Sequence, residues 1–109
     1  MLPNADRAIV DVAKLRDYCL NEAHPLGKHK ARVFKSRLGL TRSDADHLRA
    51  LILVAATRES ARRGLLDGYG QRYVLDFLCV TPAGSADVRT TWIVLAGDVL
   101  PRLTSCYVL

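Results

Sequence analysis

Residues able to do chemistry gather in one short stretch, His24-Pro25-Leu26-Gly27-Lys28-His29-Lys30-Ala31. A proline- and glycine-bearing loop running into a helix N-terminus exposes backbone N–H groups, and with two lysines beside it such an entrance suits a phosphate. Histidine is the residue type that exchanges a proton near neutral pH, so His24 or His29 could serve as acid or base. A plain surface loop would have the same composition. Between Glu22 and Asp44 stand six cations, Lys28, Lys30, Arg32, Lys35, Arg37 and Arg42, and no acid. Such a run raises a local positive potential that favours nucleic acid or an acidic protein, or it is simply a solvated helix face.

The elements that must position these residues follow from periodicity. Val12, Leu15, Cys19 and Leu20 recur at helical spacing over Asp11–Leu20, and the helix must stop before Pro25. A second helix is expected from Lys28 to Leu38, with Ala31, Phe34 and Leu38 along its buried stripe and Gly39 as its stop. On it Lys28, Arg32 and Lys35 form one exposed ridge. Thr41-Arg42-Ser43-Asp44 reads as a capping sequence for a third helix reaching about Arg63. Its stripe is Leu48, Leu51, Ile52 and Ala55, widened by Leu53 and Val54, and Arg58, Arg62 and Arg63 would complement the dipole at its end.

Beyond Gly64 the pattern turns to strands. Gln71–Thr81 is rich in β-branched and aromatic residues, Pro82-Ala83-Gly84-Ser85 is a turn, and Ala86–Leu95 returns as the second arm of a hairpin. Arg102–Leu109 makes a third strand. The fold class expected is therefore α+β, about three N-terminal helices packed on a C-terminal three-stranded antiparallel meander. Trp92, the only tryptophan, sits among apolar neighbours and is expected in the core, with stacking on a base as the second reading.

Composition bounds the rest. The 109 residues, half hydrophobic and a quarter charged, suit one domain spanning 1–109. Positive charge belongs to the helical half, since residues 1–63 carry thirteen Lys/Arg against seven Asp/Glu and residues 64–109 carry three against four. Cys19, Cys79 and Cys106 are widely spaced without a C-x-x-C pair, which suits reduced core thiols and no zinc site. With no secretory leader pattern and no apolar run long enough to span a bilayer, a cytoplasmic location with no membrane partner is expected. No Gly-rich nucleotide loop, catalytic carboxylate pair or nucleophile elbow is present, so no cofactor and no metal are expected.

Leu2-Pro3-Asn4-Ala5, Lys14–Asn21, His24-Pro25 through Phe34, Leu38-Gly39-Leu40, Tyr69–Tyr73, Val88–Ile93 and Pro101–Val108 together resemble the small bacterial domain of unknown function numbered 6883. That resemblance covers nearly the whole chain and brings no assigned activity. A more distant one is to toxin ribonucleases of the barnase, EndoU, colicin and RelE-like group. It rests on the order of a Gly-x-x-Lys block, Tyr69-Gly70-x-x-Tyr73, Arg89-Thr90-x-Trp92 and Leu103-Thr104-x-x-Tyr107. It implies helices ahead of an antiparallel sheet, and a metal-free RNA-cleaving site formed by His24 or His29 with Lys30, Arg89, Thr91, Thr104 and Tyr107.

Such cleavage needs a base for the 2′-hydroxyl, cations for the charge that builds on phosphorus and an acid for the leaving oxygen. A histidine would be the base or acid, Lys30 and Arg89 the charge stabilisers, and Tyr107 or Thr104 a positioning group. Arg72, flanked by Tyr69 and Tyr73, could hold RNA together with Lys28, Arg32 and Lys35, but the same combination is equally a normal strand start. Arg89, Thr91 and Tyr107 would also serve as ordinary cross-strand pairs. The partners expected are RNA and a cognate protein, with a homodimer through an open last strand as a further expectation. The alternative function is a non-catalytic module that binds nucleic acid or protein through its basic helical face.

Overall fold

The computed structural model describes all 109 residues. Asp11 opens the first helical segment by accepting the N–H of Ala13 at 3.0 Å. One α turn, Val12–Lys14 (α1), then widens into a π-helical turn, Leu15–Cys19, closed by the Leu20 N–H bonding the Leu15 carbonyl at 2.8 Å. A regular helix over 11–20 is thus replaced by a wider coil, which still buries Leu15 and Cys19. Helix α2, Lys28–Leu38, buries Ala31, Phe34 and Leu38 and ends at Gly39 with φ of 65°, a left-handed conformation that glycine adopts without a Cβ penalty.

The Asp44 carboxylate accepts both the Thr41 N–H (2.8 Å) and the Thr41 hydroxyl (3.2 Å), and behind that capped turn α3 runs over Ala45–Arg58. Its core side is Ala45, Leu48, Ile52, Ala55 and Ala56, while Val54 is 49% exposed. It stops five residues short of Arg63. Glu59 turns to an extended conformation and Ala61–Leu66 forms a strand, β1, so Arg62 and Arg63 lie on a sheet and only Arg58 ends the helix.

The sheet therefore has four strands, not three: β1 Ala61–Leu66, β2 Gly70–Thr81, β3 Gly84–Leu95 and β4 Pro101–Val108, antiparallel in that order. The missed strand is exposed along nearly its whole length, so it shows no apolar alternation; its ladder to β2 holds it in place. Around the two-residue turn Pro82-Ala83, Thr81 pairs with Gly84 and Asp76 with Arg89.

One sheet face lies under the helices. Leu75, Phe77 and Cys79 of β2, Ala86, Val88, Thr90 and Trp92 of β3, and Leu103 and Cys106 of β4 are buried there with Leu15, Phe34, Leu48 and Ile52. Buried Thr90 is satisfied twice: its hydroxyl donates to the Leu75 carbonyl (2.7 Å) and accepts the Trp92 indole N–H (2.8 Å). Strict alternation would put Leu103 on the face of Ser105 and Tyr107. Instead Thr91 pairs with Ser105 and Trp92 with Leu103, leaving Thr104 as the extra residue of a bulge that returns Leu103 to the core. At the β4 edge, Ile9 pairs in parallel with Arg102, its N–H bonding the Pro101 carbonyl and its carbonyl the Leu103 N–H. All three cysteines are buried and free, and no helix is long and apolar enough to cross a membrane.

Candidate functional site

Lys30 lies in the first turn of α2, and the start of that helix is held against the π-helical turn. A Cβ on Gly27 would come within 2.4 Å of the Tyr18 carbonyl oxygen, so only glycine allows this approach. From there the Lys30 ammonium reaches Ser105 Oγ at 3.4 Å and Tyr18 Oη at 3.5 Å. It also stands 5.4 Å from the Tyr18 ring centroid and 5.1 Å from that of Tyr107. No carboxylate lies within 4.0 Å of it. An ammonium has three N–H donors; here two meet hydroxyls at the outer limit of hydrogen bonding and the rings add a cation–π attraction. Half-buried and without an acid, this cation keeps capacity for an anionic ligand.

Ser105 and Tyr107 are paired across β3–β4 with Thr91 and Arg89. Arg89 makes a bidentate bond to Asp76, both contacts 2.9 Å, and hydrogen bonding to that carboxylate raises its pKa above the ordinary arginine value. The same guanidinium holds the Asp76 carboxyl below its usual range. Thr91 Oγ1 and Thr104 Oγ1 are 2.7 Å apart, and Thr91 also contacts the Ser105 carbonyl at 3.3 Å. Beside them a cleft of about 250 Å³ is lined by Lys14, Ile93, Arg102 and Thr104 among others. The structure thus brings Lys30 to Tyr107 and Arg89 to Tyr107, with the Thr91–Thr104 pair on the neighbouring rungs.

The two histidines part company. His24 Nδ1 accepts the N–H groups of both Leu26 and Gly27 at 3.0 Å, and its ring meets Tyr18 edge-on at a centroid separation of 4.8 Å. That leaves Nε2–H as its outward donor. His29 is exposed and makes no side-chain hydrogen bond. The ridge of Lys28, Arg32 and Lys35 is turned about 200° round α2 from Lys30, at 100° per residue, so it cannot share one phosphate with it. Lys35 is paired with Glu22 at 3.6 Å, whereas Lys28 and Arg32 have no acid partner. Arg72, on β2, sits 4.0 Å from Asp67.

Behind Lys30 lie two buried thiols. Hydrogen bonding from Cys106, reinforced by the Lys30 charge, lowers the Cys19 pKa to about 7, while giving that hydrogen bond and being buried push Cys106 well up. Neither thiol is exposed to solvent, so the pair packs under the site and is not placed to attack a ligand. No cluster of three or more His, Cys, Asp or Glu side chains is arranged to hold a metal.

Sequence reasoning passed over Tyr18, Ser105 and Asp76. A two-residue turn at Pro82-Ala83 already dictates that Asp76 faces Arg89, and Ser105 shares the period-two face of Tyr107. Tyr18 depends on how the π-helical turn packs on Gly27 and had no local signal.

A family model described as a domain of unknown function (DUF6883) matches residues 1–109, and the chain belongs to that family. Comparison with curated proteins and with solved structures gives no match. None of these comparisons brings a ribonuclease relative.

Proposed function

We propose that this member of the DUF6883 family binds RNA phosphodiesters at Lys30 and cleaves them without a metal, as a toxin-like ribonuclease. One observation carries the reading: a half-buried ammonium with no acid partner, ringed by Tyr18, Ser105 and Tyr107. A phosphate oxygen placed there gains the Lys30 charge and nearby hydroxyl donors, while Arg89, neutralised by Asp76, braces the strand that carries Tyr107. The 2′-oxygen attacks phosphorus as the bond to the 5′-oxygen breaks. Water takes the 2′-hydroxyl proton on the attacking side while Tyr107 gives its phenolic proton to the departing 5′-oxygen. The phenolate then recovers a proton from water, leaving a 2′,3′-cyclic phosphate, a 5′-hydroxyl and an unchanged phenol. His24 Nε2–H is a further donor on the Tyr18 side.

The test is degradation of a defined RNA by purified protein in excess chelator, with product ends identified. Lys30→Met should lower the rate at saturating RNA by about 10²–10³, the range for losing one preorganised charge stabiliser, and Tyr107→Phe should lower it as well. No cleavage by the parent protein, or equal cleavage by parent and both variants, would remove the catalytic reading.

A second reading rests on Lys28 and Arg32, which have no acid partner and face away from Lys30. A non-catalytic module would use that ridge to hold nucleic acid or an acidic protein, and would bind RNA without producing new ends.

A further inference from the structure

We infer that the outer edge of β2 from Asp76 to Thr81, with the apolar groove between it and α3, accepts an extended segment of a partner polypeptide as an added strand, and that this segment is acidic at the end nearest Arg58. The site is separate from Lys30 and independent of the RNA reading.

The opening arises because the two strands differ in length. β2 pairs with β3 from Gly70 to Thr81, but on its other side β1 covers only Gln71–Leu75. A stretch of six residues, roughly 20 Å at 3.4 Å per residue, has no strand paired to it, although Glu59 and Arg58 border its Phe77 end. The ladder shows which groups are free. The Leu109 N–H bonds the Asp87 carbonyl, so Asp87 turns its backbone toward β4, and its β2 partner Leu78 must turn its own away from β3. By alternation Asp76 and Val80 do the same. Outside the strand ladders no backbone hydrogen bond involves residues 76–81, so these N–H and C=O groups form an unpaired edge.

Alongside the edge runs a groove of about 200 Å³ lined chiefly by Leu51, Val54, Ala55, Phe77, Leu78 and Val80. Val54, Leu78 and Val80 are 49%, 62% and 64% exposed, an unusual share of apolar surface beside an open edge. Main-chain pairing plus a receptive groove is the arrangement by which sheet edges capture extended peptides, alternate side chains entering the groove.

Charge selects the occupant. Arg58 closes one end of the groove without an acid partner, and Arg62 and Arg63 follow at the start of β1. Of the acids nearby, Asp76 is already taken by Arg89 at 2.9 Å and Arg62 at 3.9 Å, which leaves Glu59 at the arginine end and Asp87 opposite Leu78 in the middle of the stretch. A second copy of this chain would bring a further net charge of +5 to that rim. An acidic segment would be drawn to it.

The probe is a synthetic eight-residue peptide, alternating Thr and Val with two Glu at one end, titrated into the full chain to millimolar concentration while amide exchange is followed by NMR. The expected result is new protection at the Leu78 and Val80 amides. A peptide N-methylated at its pairing positions, one with Lys replacing Glu, and the Val54→Glu variant of the protein should each bind about tenfold more weakly or worse. Because position 54 is exposed, an unchanged amide spectrum elsewhere shows that the variant is folded. Absence of peptide-dependent protection at Leu78 and Val80 overturns the site. Protection that rises with the concentration of the protein alone, accompanied by dimer in sedimentation, overturns the assigned partner and points to a second copy.

Discussion

Arg89 is held by a carboxylate, whereas Lys30 has none, and that difference separates a structural cation from one able to take a ligand. Asp76 and Arg89 sit opposite each other on β2 and β3, with bidentate bonds of 2.9 Å, and Tyr107 sits on the same face. Because the guanidinium depresses the Asp76 pKa in the folded state, the pair contributes stability that is present above the unfolded carboxylate value of about 3.9 and lost as pH falls through the lower folded value. Asp76→Asn should therefore be less stable than the parent at pH 7, and the difference should shrink as the pH is lowered below about 4. Denaturant midpoints at pH 7 and at pH 3 check this; a gap that does not narrow on acidification would show that the pair's charge is not its contribution. At this scale the sequence was partly legible. Lys30, Arg89 and Tyr107 could be named from residue type and resemblance, but their partners could not, since Tyr18 and Ser105 meet Lys30 only through long-range packing.

The elements explain both what was readable and what was not. Helix α2 has a clear apolar stripe and a glycine stop, so periodicity defines it; β1 has neither, and only its register with β2 makes it a strand. The bulge at Thr104 is likewise invisible in local sequence, because it depends on Trp92 pairing with Leu103 while Thr91 pairs with Ser105. The contact between α2 and the π-helical turn decides where Lys30 points. Gly27→Ala would drive a methyl into the Tyr18 carbonyl at 2.4 Å, and because the obstructing atom is backbone, the helix start must move. We expect a loss of about 1–3 kcal/mol, typical of overpacking, together with a slower Lys30-dependent reaction as the ammonium is displaced from Ser105 and Tyr107. Thermal unfolding and RNA cleavage measured on the same preparation check both. A destabilised protein with an undiminished rate would show that this docking does not position the site.

Across the whole molecule, the basic ridge and the candidate site at Lys30 occupy different places. The helical half carries the positive excess, yet Lys30 and the ridge of Lys28, Arg32 and Lys35 point to nearly opposite sides of one helix, a separation that charge counting could not reveal. Under the proposed ribonuclease reading, long-range attraction of RNA would depend on the summed field, whereas the chemical step would depend on the one cation between Tyr18 and Tyr107. The two should come apart on mutation. Binding to single-stranded RNA weakens with salt at a slope of about −0.7 for each phosphate neutralised, so replacing Lys28, Arg32 and Lys35 together by glutamine should flatten the log–log slope by up to about 2. Lys35 is already engaged by Glu22 at 3.6 Å, so its share should be the smallest of the three. The ridge variant should need more RNA to saturate and then turn over at the parent rate. Lys30→Met should do the reverse, changing the slope by less than about one and losing most of the rate. Titrations at several salt concentrations with single-turnover kinetics at saturating RNA distinguish them. A ridge variant that loses the saturated rate, with Lys30→Met keeping it, would move the reactive phosphate to the outer side of α2 and away from Tyr107.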